Sequence, residues 1–239
     1  MPQNAEFGMD RTAFHGLGDP AVGRRRFLKL SAAALVSSTI VPERAAAAMP
    51  ANLAFRIFRK GEEIGEHRVS FTMNGDRIIS RVQVDIAVKV AFVTAFRFQQ
   101  QGEDHWRNGM LVRSMVQTND DGELSRLQVE EGRGQLHVEG PSGAITVPLG
   151  MMTDTCFWNA NIHSLSQVIT AGDGDLAPFR SILHGPETLD IGGRPVRVNH
   201  YEVTTSQGRG GDIWYDENGR WVTSIIRTRG EVLEYRPIV

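Results

Sequence analysis

The chain has 239 residues and carries 26 Lys and Arg against 28 Asp and Glu, a formal net charge of −2. Charges of both signs are mixed along the chain, so the concentrated basic face of a nucleic-acid-binding protein is not expected. Cys156 is the single cysteine, which excludes an internal disulfide.

Residues 24 to 29 form a twin-arginine export pattern. The sequence there reads RRRFLK and fits the pattern R-R-x-F-L-K, which marks proteins that fold before export. We therefore expect the twin-arginine translocase to recognise this chain and to deliver it to the periplasm. The residues that carry the pattern are Arg24, Arg25, Phe27, Leu28 and Lys29.

An apolar run and a cleavage signal follow the arginines. The run from residue 30 to 41 is about 12 residues long, which suits a secretory signal, whereas a transmembrane helix needs roughly 20. Small residues ending at Ala48 predict cleavage by a signal peptidase after that position. We expect residues 1–48 to be a signal peptide with a disordered n-region, and residues 49–239 to be a soluble periplasmic domain that is not integral to the membrane.

The remainder of the chain is punctuated by turn dipeptides. Asn108-Gly109, Asp121-Gly122 and Asn218-Gly219 separate short runs of strand-forming residues, and such dipeptides are typical of antiparallel hairpins. For Asn218-Gly219 the sequence predicts a type I′ turn. Together these signals predict a mostly β, single antiparallel domain.

The longest periodic segment, RIISRVQVDIAVKVAFVTAFRFQ, places apolar residues at nearly every even position from Ile78 to Phe98. Period two indicates one buried face and one solvated face. A single strand of this length would reach about 70 Å, well beyond the usual 3 to 10 residues. The segment is therefore either two strands with a bend near residues 92–95 or one long strand curling around a core. Both alternatives predict a strongly curved antiparallel sheet or an incomplete barrel.

One segment departs from this rhythm. DTCFWNANIHSLSQVIT, residues 154–170, has an apolar spacing that predicts one short helix near residues 155–170, beginning after Thr155 or Asn159.

Motifs of cofactor or metal chemistry are missing from the sequence. It contains no C-x-x-C, no H-E-x-x-H, no G-x-S-x-G and no G-x-G-x-x-G after a strand, so we expect no cofactor and no metal site. Cys156 and His163 are the sharpest catalytic pair. On a helix they would lie two turns and roughly 10 Å apart, which favours a small buried thiol over a nucleophile.

Acidic residues offer a second set of candidates. Glu103, Asp104 and His105 precede Trp106, and a carboxylate that turned inward would be a site candidate through a raised pKa. Charged residues beside turns are more often simply solvated.

Four stretches carry a resemblance to a known family. They are FRIFRKGEEIGEHRVSF, DHWRNGMLVRSMVQTNDDGE, TCFWNANI and DIWYDENGRWVTSIIRTRGEVLEY. They resemble a family of bacterial exported proteins catalogued only as a domain of unknown function, which implies an elongated, curved antiparallel sheet and no activity. Cys156 stands where the family pattern suggests a serine, which argues against an essential thiol nucleophile. A looser likeness, in architecture only, is to periplasmic carriers that hold lipid in a half-open barrel.

Three functions remain open at the level of sequence. The leading hypothesis is a binding or carrier module whose concave face holds an apolar or lipid-like ligand. The alternatives are a structural or interaction protein of the cell envelope, and a hydrolase that uses His163 or His105 with a nearby acid; we lean against an enzyme. The residues predicted to line the apolar site are Phe92, Phe96, Phe98, Trp106, Trp158 and Trp214.

Overall fold

Fourteen antiparallel strands form one sheet in the computed structural model, which describes residues 49–90, 93–205 and 209–238. The predicted signal peptide and Phe92 lie outside the described residues. The strands are β1 (Leu53–Arg59), β2 (Glu62–Asn74), β3 (Arg77–Val90), β4 (Val93–Arg107), β5 (Met110–Asp120), β6 (Glu123–Gly132), β7 (Gln135–Gly140), β8 (Gly143–Pro148), β9 (Gln167–Ile169), β10 (Leu176–Ile191), β11 (Arg194–Thr205), β12 (Gly210–Asp216), β13 (Trp221–Thr228) and β14 (Glu231–Pro237).

The sheet consists of two meanders joined at their first and last strands. Strands β1 to β8 lie side by side in chain order, and so do β9 to β14. Pairing of β1 with β14 unites the two halves, with Ile57 opposite Tyr235. Strands β8 and β9 are the edges of the described sheet, which is therefore antiparallel and not closed into a barrel. The mostly β prediction is confirmed.

Hairpin turns occur at the predicted dipeptides, but the turn at Asn218-Gly219 is not of the predicted type I′. Asn108 and Gly109 both have positive φ, 52° and 77°, as a type I′ turn requires. At the Asn218-Gly219 hairpin between β12 and β13 only Gly219 has positive φ, 75°, and its N–H donates to the Asp216 carbonyl at 3.0 Å. The type I′ prediction was wrong there, because the connection is longer than two residues and needs a left-handed conformation only at the glycine.

The long alternating segment forms two strands, as one alternative predicts. Strands β3 and β4 are 14 and 15 residues long, and β3 ends at Val90 while β4 begins at Val93, close to the expected bend. Val88 lies opposite Phe96, and Ile86 opposite Phe98. From Val88 and Phe96 back to Ile78 and Trp106 the even-numbered residues of both strands face one side, whereas a register shift between Val88 and Lys89 places Thr94 opposite Lys89.

The predicted helix is reduced to a single 3-10 turn, Ala160–Ser164. The Asn159 side chain caps it by accepting a hydrogen bond from the Asn161 N–H at 3.1 Å. This turn belongs to the connection between β8 and β9, which we call the plug segment (residues 149–166) because it lies against the buried face of the sheet.

Buried apolar residues lie on one face of the sheet, which we call the inner face. A main cluster includes Phe55, Ile57 and Trp106, and a second cluster centres on Leu127 and Leu136. The other, outer face carries ion pairs between neighbouring strands, such as Arg81 with Glu103 at 2.9 Å. The alternation of apolar and charged residues along each strand thus decides which face holds the core.

Candidate functional site

One end of the inner face presents apolar side chains that are only partly buried. Val88, Phe98 and Ile226 pack against the main cluster while keeping part of their surface exposed, and Phe96 lies half-buried beside them on β4. An arginine and an aspartate complete this end of the sheet. We call the region the mouth, and it consists of Val88, Phe96, Phe98, Asp120, Ile226 and Arg229.

An ion pair bridges the mouth. Arg229, in the turn between β13 and β14, donates to Asp120 at the end of β5, at 2.9 Å to Oδ1 and with a second bond to Oδ2. The Arg229 guanidinium also lies 5.6 Å from the centre of the Phe96 ring. Strands β4, β3, β2 and β1 separate β5 from β14, so a flat sheet would hold the two about 24 Å apart. The contact therefore requires a strongly curved sheet, as predicted.

Further along the inner face the sheet buries a polar cluster, the Asp104 cluster (Ser80, Asp104, Ser114, Thr153 and Cys156). Ser80, Asp104 and Ser114 lie opposite one another across β3, β4 and β5 and are 0% exposed. The Ser80 hydroxyl donates to Asp104 Oδ2 at 3.3 Å and accepts the Trp106 indole N–H at 3.0 Å. From the plug segment, the Cys156 thiol donates to the same carboxylate oxygen at 3.8 Å.

Asp104 is the inward-turned carboxylate that the sequence proposed as a site candidate. Burial raises the pKa of Asp104 from its ordinary 3.8 to about 6, while the hydroxyls of Ser114 and Ser80 and the Cys156 thiol lower it by stabilising the anion. The Ser114 hydroxyl nevertheless lies outside hydrogen-bond geometry with both carboxylate oxygens, and Asp104 Oδ1 is without a partner among the described residues.

Cys156 is a buried thiol and not an activated nucleophile. It is 0% exposed and lies 3.1 Å from the Thr153 hydroxyl. Burial, with the nearby Asp104 carboxylate, raises the pKa of the Cys156 thiol well above its ordinary value. The thiol form therefore persists at neutral pH, which confirms the prediction from the sequence.

The histidines proposed for a hydrolase do not gather a catalytic set within the described chain. His163 Nδ1 lies 2.7 Å from the Ser181 hydroxyl, and its ring stacks on Tyr201 at 4.0 Å. Burial lowers the pKa of His163 to about 4, and its Nε2 is buried without a partner, so no carboxylate orients the ring. His105 contacts Glu103 at 2.8 Å without a nucleophile beside it.

The residues predicted to line an apolar site occupy three different places. Phe96 and Phe98 lie in the mouth. Trp106 and Trp158 pack edge to face at 5.1 Å inside the main cluster. Trp214 lies on the outer face, where it stacks on His200 at 4.7 Å and donates its indole N–H to Glu187. The five of these residues that the structure describes therefore do not form one surface.

Sequence reasoning missed a group of titratable residues around Trp214. His184 and His200 stack with ring centres 4.8 Å apart, and His200 contacts the Asp212 carboxylate at 2.8 Å. His184 lies at an irregularity in β10, where the register with β11 shifts between Leu183 and Gly185. Such a shift cannot be read from sequence spacing, so the approach of His184 to His200 was not predicted. In the described part of the chain, no group of three or more His, Cys, Asp or Glu residues is arranged to hold a metal ion.

Two depressions on the surface lie along β2 and β3, and neither is lined by a residue of the mouth. The larger, of about 350 Å³, is an open hollow along β2 and β3 with a lining that is part polar and part apolar. It forms beside Gly65, where a Cβ atom would stand 2.0 Å from the Asp85 carbonyl oxygen, so that position admits only glycine. Among the described residues, no helix has the length and apolar character needed to cross a bilayer.

Comparison with known proteins places these features in a family. A family model described as a domain of unknown function (DUF6134) matches residues 55–238. The chain belongs to this family. The match covers all the strands that build the mouth and the Asp104 cluster, as the resemblance noted in the sequence implies.

A solved structure with the same kind of fold is the β-barrel-like protein of domain of unknown function DUF1849 from Brucella abortus. The two are 10% identical and superpose with a TM-score of 0.58, over 78% of this chain and 94% of the other. At this identity the likeness concerns the fold alone. No curated protein matches the chain.

Proposed function

We propose that this chain is an exported periplasmic protein that binds an apolar, lipid-like ligand at the mouth. The observation that carries the proposal is the gathering of half-buried Val88, Phe96, Phe98 and Ile226 at one end of the inner face. Other residues packed against the core are also partly exposed, such as Ile78 and Tyr201, but these four lie together with Arg229 at one end and retain apolar surface that a ligand would remove from water.

The size of the hydrophobic contribution sets the class of ligand. Each methylene group that leaves water contributes about 0.8 kcal/mol. Association costs about 4 to 15 kcal/mol in lost freedom of motion. A ligand with about ten buried methylene groups, or a ring system of similar area, gains about 8 kcal/mol, which reaches the middle of that range, whereas a short-chain molecule gains less than its lower end. Arg229 lies over the mouth and would orient an anionic or polar head near Asp120.

Export by the twin-arginine translocase and cleavage by a signal peptidase complete the proposal. They rest on the leader pattern at residues 24–29. The fold offers a reason for folding before export. The β1–β14 pairing joins residues at opposite ends of the domain, and such non-local pairing slows folding while long strands stay exposed.

An assay with a fluorescent apolar probe tests the binding proposal. The protein with residues 49–239 is titrated with 1-anilinonaphthalene-8-sulfonate and then with a long-chain fatty acid as competitor. The proposal predicts saturable probe binding that the fatty acid displaces, and at least tenfold weaker binding by Phe96→Ser. Leu124→Ser is the matched control, because Leu124 is 77% exposed on β6 outside the mouth. Equal binding by both variants, or none by the wild type, contradicts the proposal.

A second function, interaction with another envelope protein, is favoured by a different observation. β9 pairs only with Leu176–Pro178 of β10, so in the described chain the residues of β10 beyond Phe179 pair on one side alone, with β11. Leu183 on this stretch is 56% exposed. A free strand edge of this kind accepts a strand from a partner. Leu183→Lys should abolish such an association, measured by cross-linking in the periplasm, while leaving probe binding at the mouth unchanged.

A further inference from the structure

Strands β3 and β4 continue past their pairing with neighbouring strands at the mouth end of the sheet. The pairing of β3 with β2 ends at Ile86, and the pairing of β4 with β5 ends at Phe98. In the described part of the chain, residues 87–90 and 93–97 therefore form strand pairs only with each other. We call these residues the β3–β4 tip.

The tip extends well beyond the turn that follows β5. The Asp121 N–H in that turn donates to the Arg97 carbonyl at 2.7 Å. From Arg97 to Val93 the strand continues for about 13 Å. Val93 is 69% exposed, and Thr94 and Ala95 are exposed as well. The end of β4 therefore presents small and apolar side chains to the solvent.

The tip is poor in polar side chains for an exposed pair of strands. Between Asp85 and Arg97 the chain contains one charged residue, Lys89, and Thr94 is the only other polar residue. Strands with unpaired edges usually carry several charges that prevent association with other molecules. An exposed apolar segment without this protection indicates a surface that another apolar phase covers.

We propose that the β3–β4 tip docks the protein on the surface of a phospholipid membrane. Val93 and Ala95 enter the boundary between head groups and acyl chains, and Lys89 pairs with a lipid phosphate. Interfacial segments are buried by about 5 to 10 Å, which the projecting part of β4 can span. The tip goes no deeper, because its outer backbone N–H and C=O groups do not pair with another strand and hydrocarbon offers them no partner.

Charge and composition favour a lipid surface over a protein partner. The tip carries the positive charges of Lys89 and Arg97 and no acidic residue, which complements the phosphates of lipid head groups. Glu62 and Glu63 line a surface hollow together with Lys89, so the apolar residues supply most of the affinity. Valine and threonine are poor anchors of protein interfaces, in which Trp, Tyr and Arg dominate.

The tip leads directly to the mouth. Val88 and Phe96 lie opposite each other and belong to both regions. A lipid-like molecule that leaves the membrane along the tip reaches the mouth without crossing open water. This route rests on the proposed function, whereas docking of the tip does not.

A fluorescent label on the tip tests the docking. Val93→Cys and Met73→Cys are made in the protein used for the probe assay and labelled with a thiol-reactive nitrobenzoxadiazole dye. Met73 is the matched control, because it is 51% exposed beside the turn at the other end of β3. Cys156 is 0% exposed and should not react.

Vesicles of phosphatidylethanolamine and phosphatidylglycerol are then added to both labelled proteins. The proposal predicts a blue shift and a rise in emission for the label at position 93 and no change at position 73. Equal changes at both positions, or none at position 93, overturn the inference. A change at position 93 that needs only a higher protein concentration and no vesicles identifies self-association, which also overturns it.

Sedimentation with the same vesicles tests the tip without a label. Val93→Asp should bind about tenfold more weakly than wild type, because a charge replaces apolar surface that leaves water. Lys89→Glu should bind about fivefold more weakly at low salt, and Met73→Asp should bind like wild type. Equal sedimentation of Val93→Asp and wild type contradicts the docking.

The probe assay in solution separates this inference from the proposed function. Displacement of the probe by a fatty acid, together with no response of the tip to vesicles, refutes only the docking. A response of the tip to vesicles in a protein that binds neither probe nor fatty acid refutes only binding at the mouth.

Discussion

The two ends of strand β4 differ, although both follow the same period-two pattern. At the mouth, Phe96 and Phe98 keep part of their apolar surface open to solvent, whereas Asp104 and Trp106 are closed beneath the plug segment. Side chains at the closed end are fixed by packing, and buried polar atoms there need hydrogen-bond partners. The open end keeps free apolar surface, which costs stability and is useful only if another molecule covers it. The Asp104 end is therefore the closed, stabilising end of the strand, and the open end is where we propose that a ligand binds.

Removing the indole at the closed end should have the largest effect on stability. Trp106 is 2% exposed, packs on Trp158 and donates to Ser80. Trp106→Ala should reduce the free energy of unfolding by about 3 to 5 kcal/mol, measured by urea denaturation. Phe96→Ala at the mouth is the comparison and should cost clearly less, because Phe96 is only half-buried. Equal losses would break the distinction between the two ends.

Replacing the buried carboxylate should change how stability depends on pH. The folded pKa of Asp104 is about 6, above its ordinary 3.8, so the folded state binds the proton more tightly than the unfolded state. Its contribution is therefore present below pH 3.8 and is lost as the pH rises to about 6, by about 3 kcal/mol. Between pH 3.8 and about 6, the free energy of unfolding of Asp104→Asn should therefore rise relative to that of wild type. Above about pH 6 the difference between the two proteins should be constant.

Asp154 provides the control for that measurement. Burial raises the pKa of Asp154 to about 6 as well, with the same sign. Asp104→Asn should therefore remove only one part of the pH dependence, and the double variant Asp104→Asn/Asp154→Asn should remove more. A stability difference between Asp104→Asn and wild type that does not change between pH 4 and about pH 7 would show that Asp104 titrates normally in the folded protein.

His67 should act in the opposite pH direction. It lies edge-on to Trp221 at 5.2 Å, and burial lowers its pKa from 6.5 to about 4. A lowered folded pKa means that the unfolded state binds the proton first, so stability is lost as the pH falls from 6.5 to 4, by up to about 3 kcal/mol. His67→Phe should remove this loss in acid denaturation experiments. If His67→Phe lost stability in acid as wild type does, His67 would not be the source of that loss.

Removing the ion pair over the mouth should have the smallest effect on stability. Arg229 is 52% exposed, and pairs of this kind contribute about 0 to 1 kcal/mol. Arg229→Gln should therefore leave the unfolding midpoint almost unchanged while it increases the dissociation rate of the fluorescent probe, measured by stopped flow. Arg236→Gln, whose pairing with Glu234 lies on β14 away from the mouth, is the matched control. Similar dissociation rates in both variants would remove Arg229 from the binding account.

Local sequence patterns predict the strands of this fold. The alternation of apolar and polar residues also predicts which face a given side chain is on, and the prediction for Asp104 did not make use of it. Extending the even-numbered positions from Phe96 and Phe98 puts Asp104 on the inner face, so the sequence already contained the signal for the buried carboxylate. The face of Trp214 could not be read in this way. Ile213 and Tyr215 beside it are also apolar, and alternation carries no information in a continuous apolar run.

Contacts between distant parts of the chain set the rest of the structure. The β1–β14 pairing and the Arg229–Asp120 bridge join residues more than a hundred positions apart, and no local signal reports them. The predicted short helix is only the turn Ala160–Ser164, because tertiary contacts fix the plug segment. Cys156 contacts Asp104, and the Tyr215 hydroxyl donates to the Phe157 carbonyl at 2.6 Å. Propensity in a short segment yields to such packing.

Native mass spectrometry of the protein purified from the cells that naturally produce it, followed by solvent extraction, tests the central claim most directly. The account predicts a bound molecule with a long alkyl chain or a fused ring system, present in wild type and in Leu124→Ser and lost in Phe96→Ser. A wild-type protein that carries no apolar molecule, and that takes up none when incubated with a long-chain fatty acid, would contradict binding at the mouth.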